Sequence, residues 1–205
     1  MNNQQLNREI IQYRVSVWEV ILIVIGAIAL LSAGIMGLAI KASTNALNPK
    51  RAEAIAKSLI DYKIPGGSEG VFGINIGSAK FAWVRSSTNP PDVSLFVAKT
   101  PLNKETNQTD NSENQDFDKP ATDEVNKDFS VTNSRKENKT FCGNIVPITI
   151  EEGQQTFSDQ PSPVPAIRYI ASTTEDNIER IVILTTNGRN AKEKAATVFN
   201  SLRCK

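Results

Sequence analysis

The longest uncharged stretch of the sequence, residues 20–40, decides what the N-terminal part of the chain can become. With a rise of about 1.5 Å per residue, a helix of this length crosses the roughly 30 Å hydrocarbon layer of a lipid bilayer. Tyr13 and Trp18 precede the stretch, where amphipathic rings favour the membrane interface, and Lys41 follows it. The sequence therefore predicts a polar tail over residues 1–16, a transmembrane helix over 17–41 and a short spacer over 42–47.

Two other interpretations of the apolar stretch stay open. A secretory signal peptide has a shorter apolar core of about 7–15 residues, and cleavage near Ala42 or Ala46 would remove it. A buried helix of a soluble protein is the second alternative, although such a helix usually carries a polar face. We expect a single-pass signal-anchor that holds the protein in the lipid bilayer.

Basic residues flank both ends of this helix, two before it and four after it: Arg8 and Arg14, then Lys41, Lys50, Arg51 and Lys57. Counted by the positive-inside rule, this distribution keeps the following domain in the cytoplasm. Large domains, however, cross largely regardless of charge, and a short tail before one long helix is typical of a signal-anchor. We therefore expect an extracytoplasmic domain, with the cytoplasmic orientation as the alternative.

Small residues recur along one stripe of the predicted transmembrane helix. Ala29, Ala33 and Gly37 are spaced by four residues, which lets a second helix approach closely. The stripe supports the hypothesis of a homodimer through the membrane. Alternatively, it reflects only the general abundance of small residues in transmembrane helices.

Residues 48–205 carry the signals of one soluble α+β domain. Asn48 and Pro49 predict the N-terminal cap of a helix, and Glu53 and Lys57 form an i,i+4 pair on its exposed side. Apolar runs of period two predict strands over residues 71–76, 79–85, 93–98, 144–150, 166–172 and 178–186. The last two should form a hairpin, and a final helix is expected over 190–203. Short connections make the strands antiparallel, so we expect one antiparallel sheet covered by the two helices.

A polar segment interrupts this pattern over residues 103–140. It has few large apolar side chains and is therefore predicted to be a disordered insertion, because it buries too little surface to offset its ordering entropy. The alternative is a partner-binding loop around Phe117 and Phe129 that orders on contact.

Several classes of chemistry are excluded by composition. The chain has no histidine, which removes Ser-His-Asp and Cys-His relays and two-histidine zinc sites. A formal net charge of +1 argues against nucleic-acid binding. The glycines at 66, 67, 70, 73 and 77 match no phosphate-binding motif, and Glu151 and Glu152 should point to opposite sides of a strand. We therefore expect no cofactor, no metal and no enzymatic activity.

The two cysteines, Cys142 and Cys204, are too few for a thiolate zinc cage and too far apart for a CxxC pair. They form either one disulfide, which suits an oxidising compartment, or two reduced thiols.

Three segments carry a resemblance to known proteins: IDYKIPGG at 60–67, VSLFVA at 93–98 and FNSLR at 199–203. On these the chain resembles uncharacterised bacterial single-pass membrane proteins of a cyanobacterial type. By element order alone it is similar to the sandwich fold of extrinsic photosystem subunits of the P type. Neither resemblance implies an active site.

Three classes of function follow from these observations. The first is a membrane-anchored, non-enzymatic protein-interaction or assembly-factor domain with a protein partner of unknown identity. The second is a small-ligand-binding or sensory domain in a cleft between sheet and helix. The third is an enzyme of unknown type, which would need a convergent cluster of perturbed carboxylates.

Overall fold

The structure is a computed structural model, and it describes residues 17–102, 128–157 and 162–205. The helices are α1 (Val17–Ala46), α2 (Pro49–Leu59) and α3 (Ala191–Ser201). The strands are β1 (Ile60–Asp61), β2 (Ser68–Ile76), β3 (Ala79–Ser86), β4 (Val93–Pro101), β5 (Phe129–Phe141), β6 (Asn144–Gln155), β7 (Val164–Glu175), β8 (Ile178–Asn187) and β9 (Arg203–Cys204). The chain divides into two compact units, Met1–Ser43 and Thr44–Lys205.

Helix α1 contains the segment Ile21–Ala46, which is long and apolar enough to cross a membrane and has a mean hydropathy of 2.6. By length and composition it fits either a membrane anchor or a signal sequence. The helix continues past the predicted end at residue 41 and through most of the predicted spacer. It ends at Ala46, three residues before Pro49, and the residue that precedes a proline disfavours helical geometry.

The second unit is an α+β domain built on a seven-stranded antiparallel sheet of order β2-β3-β4-β8-β7-β6-β5. All six predicted strands are present. The expected hairpin is β7–β8, and β8 occupies the middle of the sheet, in agreement with its apolar sequence. The short strands β1 and β9 were not predicted from the sequence. They pair with each other in a separate two-stranded antiparallel sheet.

Strand β5 corrects the predicted extent of the disordered insertion. Residues 129–140 pair with β6 instead of belonging to that insertion. They look like a solvated segment in the sequence because β5 is an edge strand with polar side chains on both faces. Residues 103–127 of the predicted insertion, including Phe117, lie outside the described residues.

Both helices of the domain pack on one face of the sheet, α2 against β2, β3 and β4, and α3 against β7 and β8. Asn48 caps α2 as predicted, since its side chain accepts a hydrogen bond from the backbone N–H of Arg51 at 3.2 Å. The predicted pair of Lys57 and Glu53 is also confirmed, at 2.9 Å. The main core lies between the helices and the sheet, and it includes the fully buried Leu95, Ile148 and Leu184.

Strand β2 lets α2 approach unusually closely because it presents glycine to the helix. A Cβ at Gly73 would lie 2.5 Å from the Cα of Ala52, and one at Gly70 would lie 2.7 Å from the Cβ of Ala52. Any side chain at these two positions would therefore push the helix away from the sheet.

Candidate functional site

The face of the sheet opposite the helices carries a second apolar cluster, here called the apolar band. Its buried members are Phe81, Phe96, Ala98 and Ile183, and its half-buried members are Phe72, Ile74, Ala79, Trp83, Ile170 and Ile181. All ten residues come from strands, and no described helix contributes to the cluster. The domain thus has one apolar face that its own described helices do not cover.

The strand register arranges nine of the ten residues of the apolar band in two rows across the sheet, and Ala79 lies in a third row, opposite Ile76. Phe72 lies opposite Trp83, which in turn lies opposite Phe96. In the next row Ile74 lies opposite Phe81. The indole N–H of Trp83 donates to Ser94 Oγ at 2.6 Å, which fixes the orientation of its ring.

The band ends on one side at a polar row that also crosses the sheet. Successive strands contribute Glu69, Arg85, Ser94, Thr185, Arg168, Glu151 and Ser134 to this row. Arg85 and Glu69 form an ion pair at 2.6 Å at the β2 end. The boundary between apolar and polar rows is therefore set by register alone.

Arg168 is the most buried charge of the polar row. Its guanidinium lies 3.5 Å from a carboxylate oxygen of Glu151, donates to Thr185 Oγ1 at 3.4 Å, and lies 4.0 Å from the ring centre of Phe129. Burial lowers the pKa of Arg168, and the carboxylate of Glu151 opposes that shift. The guanidinium of Arg168 thus contacts residues of β5, β6 and β8 from its own strand β7, and these contacts hold the four strands in register.

The apolar band reaches the free edge of the sheet at β2. This strand pairs with β3 only, so the outward backbone groups of β2 have no strand partner among the described residues. After Glu69 the strand contains no charged residue, and Ile76 at its end is 61% exposed. An exposed, neutral, apolar edge strand is a ready template for pairing with another strand.

The opposite edge, β5, is protected in the usual way. It carries Arg135, Lys136, Glu137 and Lys139 within five positions. Arg135 is ion-paired with Glu137 and with Glu152 of the neighbouring strand. Charges of this density discourage edge-to-edge pairing, and of the two described edge strands of this sheet only β2 lacks them after Glu69.

A polar cluster lies at the end of the sheet where α3 begins. Lys194 Nζ lies 2.7 Å from Asp92 Oδ2 and donates to the carbonyl of Asn187 at 2.9 Å. Thr88 Oγ1 donates to the other oxygen of Asp92 at 2.9 Å. Burial alone raises the pKa of Asp92, but the hydrogen bonds from Lys194, Ser86 and Thr88 outweigh it and hold that pKa below its usual range.

The two cysteines form a disulfide in the structure, with their Cα atoms 5.0 Å apart. Cys142 lies in the β5–β6 turn and Cys204 in β9, so the bond ties the C-terminal end of the chain to the sheet. An open depression lies beside it, lined by Thr140, Gly143, Asn200 and Arg203 among others.

Two other sets of residues named from the sequence lie outside the apolar band. Ala29, Ala33 and Gly37 are exposed along α1, and a Cβ at Gly37 would meet nothing within 4 Å. Glu151 pairs with Arg168 while Glu152 pairs with Arg135, so the two acids point to opposite faces as predicted.

One small cavity lies between α2 and the sheet. This cavity, lined by Leu59, Phe141 and Val182, has a volume of about 10 Å³, close to the space that one water needs. Within the described residues no three His, Cys, Asp or Glu side chains gather in a way that could hold a metal ion.

No protein-family model matches the sequence, and no curated protein is significantly similar to it. The resemblance to cyanobacterial-type membrane proteins therefore stays a prediction. The sequence predicts β2 and β3 as strands but did not lead to the apolar band, although a signal for it is present. Phe72, Ile74 and Ile76 alternate in a strand that has no charge after Glu69.

Proposed function

We propose that this protein is a membrane-anchored, non-enzymatic protein-interaction or assembly domain. The observation that carries the proposal is the apolar band, which reaches an uncharged free edge at β2. A partner strand on this edge would gain backbone hydrogen bonds and place its apolar side chains beside Phe72 and Ile74. Strand addition of this kind needs no catalytic group and no cofactor.

The proposal assigns α1 the role of a permanent anchor. Ile21–Ala46 has the length and composition for that role. We place the soluble domain outside the cytoplasm, because a disulfide between Cys142 and Cys204 suits an oxidising compartment.

A photo-crosslinking experiment in native membranes tests the proposal. A photoreactive amino acid replaces Ile76, at the end of β2, or Ile145, at the start of β6 beside the opposite edge strand. Both side chains are exposed, at 61% and 77% respectively, so neither replacement disturbs the core. We expect a discrete protein adduct from position 76 and none from position 145. Equal labelling from both positions, or none from position 76, would contradict the assignment of this edge as an interaction surface.

A further inference from the structure

We infer that the strand that adds to β2 is the β2 strand of a second copy of this chain. In this arrangement two copies are related by a two-fold axis, their β2 strands run antiparallel, and the two sheets become one continuous sheet. The inference rests on the proposed function and names the partner of the same surface.

The charge pattern of β2 is what favours a second copy over a different protein. Across a two-fold axis, a strand pairs with its own sequence, so any charge near the axis meets a like charge. Residues 70–76 read GVFGINI and contain no charge at all. The charge at the start of the strand, Glu69, is already paired with Arg85. A heterologous partner would place no such restriction on the strand, because opposite charges could be matched across the interface.

The side chains on the outer face also suit self-pairing. Phe72 and Ile74 are half-buried and line the edge of the apolar band. A second copy would bring the same two side chains beside them, so the two bands would join into one larger apolar surface. On the other face of β2, Gly70 and Gly73 lie under α2, so the strand has no side chain that could obstruct the pairing at these two positions.

The arrangement closes at two copies. In the described part of the chain, the seven-stranded sheet has one neutral edge, β2, because its other edge carries the charges of β5. A two-fold contact uses both neutral edges and leaves none for further addition, so it gives a dimer and not a filament. Anchoring in one membrane raises the local concentration of copies in a shared orientation and favours the contact.

The test uses the full-length chain and two matched variants. Ile74→Lys/Ile76→Lys places four positive charges along the joined edge, two from each copy, and like charges there oppose the pairing. Val131→Lys/Ile145→Lys makes the same number of changes to lysine in β5, the other edge strand, and in its neighbour β6, at residues that are 48% and 77% exposed. A third variant, Ala33→Leu/Gly37→Leu, alters the small-residue stripe of α1.

The dimer fraction is measured by sedimentation in detergent micelles, with far-ultraviolet circular dichroism as the folding control. We expect a dimer in the native chain, a reduction of its association constant by at least about tenfold in the β2 variant, and no change in the other two. If Ile74→Lys/Ile76→Lys does not fold, Ile76→Lys alone is used, because that side chain is exposed.

The outcomes separate this inference from the proposed function. A monomeric native chain, or a dimer that only the α1 variant disrupts, overturns β2 self-pairing. In the photo-crosslinking experiment, an adduct of twice the chain mass from position 76 supports it. An adduct with a different protein from position 76 overturns the self-pairing and leaves the interaction function standing. No adduct from that position overturns both.

Discussion

The ammonium group of Lys194 lies 2.7 Å from a carboxylate oxygen of Asp92, across 102 residues of sequence. Asp92 belongs to the β3–β4 loop and Lys194 to the first turn of α3. The backbone of Asp92 reinforces the link, since its carbonyl accepts from Asn187 N–H at 3.0 Å. The contact therefore holds the loop against the end of the sheet where α3 begins.

Asp92→Asn is expected to lower the free energy of unfolding by roughly 1–2 kcal/mol at neutral pH, because it removes the charge from a partly buried, hydrogen-bonded carboxylate. The pKa of Asp92 is lowered in the folded protein, so its stabilisation is complete above the ordinary aspartate pKa. It is lost as the pH falls through the lower, folded value. Urea unfolding of the unsubstituted protein and of Asp92→Asn across this acid range should show that their free energies of unfolding become more similar as the pH falls.

The matched control for this prediction is Asp61→Asn. Asp61 also pairs with a lysine, Lys205 at 2.6 Å, but its side chain is 61% exposed. Solvent screening limits such a pair to about 0.5 kcal/mol or less. An equal decrease in the free energy of unfolding in both variants would contradict a larger stabilising contribution of Asp92.

Removing the carboxylate beside Arg168 is expected to destabilise the domain. Glu151→Gln should cost about 1–3 kcal/mol, because it removes the charge of the carboxylate that lies 3.5 Å from the buried guanidinium of Arg168. In an Arg168→Met background the same change should cost less than about 0.5 kcal/mol. A double-mutant cycle by urea unfolding measures the coupling, and a cost that is equal in both backgrounds would show that the pair does not interact.

Gly73→Ala is expected to lower the free energy of unfolding by about 2–3 kcal/mol. The added methyl group would overlap the backbone of Ala52, so α2 and β2 must separate. Gly77→Asn is the control. Gly77 has a φ of 59° with open space around it, and asparagine tolerates that conformation. Thermal unfolding compares the two, and an equally stable Gly73→Ala protein would contradict the close helix–sheet packing.

Breaking the disulfide is expected to lower the free energy of unfolding by about 4 kcal/mol, because the bond closes a long loop and restricts the unfolded chain. Its cysteines are separated by 62 residues. Reduction should therefore lower the urea concentration at the unfolding midpoint of the native chain. It should leave the midpoint of a Cys142→Ser/Cys204→Ser variant unchanged. A native midpoint that does not respond to complete reduction would contradict the stabilising role.

Labelling of intact cells with a membrane-impermeant thiol reagent tests the orientation. An extracytoplasmic domain with a closed disulfide should be labelled only after an impermeant reductant has acted. The variant without cysteines serves as the blank. Labelling that requires lysis and no reductant would place the domain in the cytoplasm and remove the support that the disulfide gives to an external location.

The sequence alone determined the elements that depend on local patterns. Four elements lie within a few residues of the sequence pattern that predicted them. Helix α1 coincides with the uncharged stretch, α2 begins at the Asn48–Pro49 cap, and β4 and β8 coincide with apolar runs. Such signals are readable because backbone geometry and burial of one face are imposed locally. They were sufficient to predict the α+β class and the antiparallel sheet covered by two helices.

Tertiary structure alone decided which polar segments are strands and which faces meet. The β5 sequence is too polar to be recognised, because its pairing comes from β6 and its exposure from its place at the sheet edge. The apolar band depends on the register of five strands, and the pair of Asp92 with Lys194 depends on where α3 begins. These contacts join residues far apart in the chain, and no local periodicity specifies which strand lies beside which.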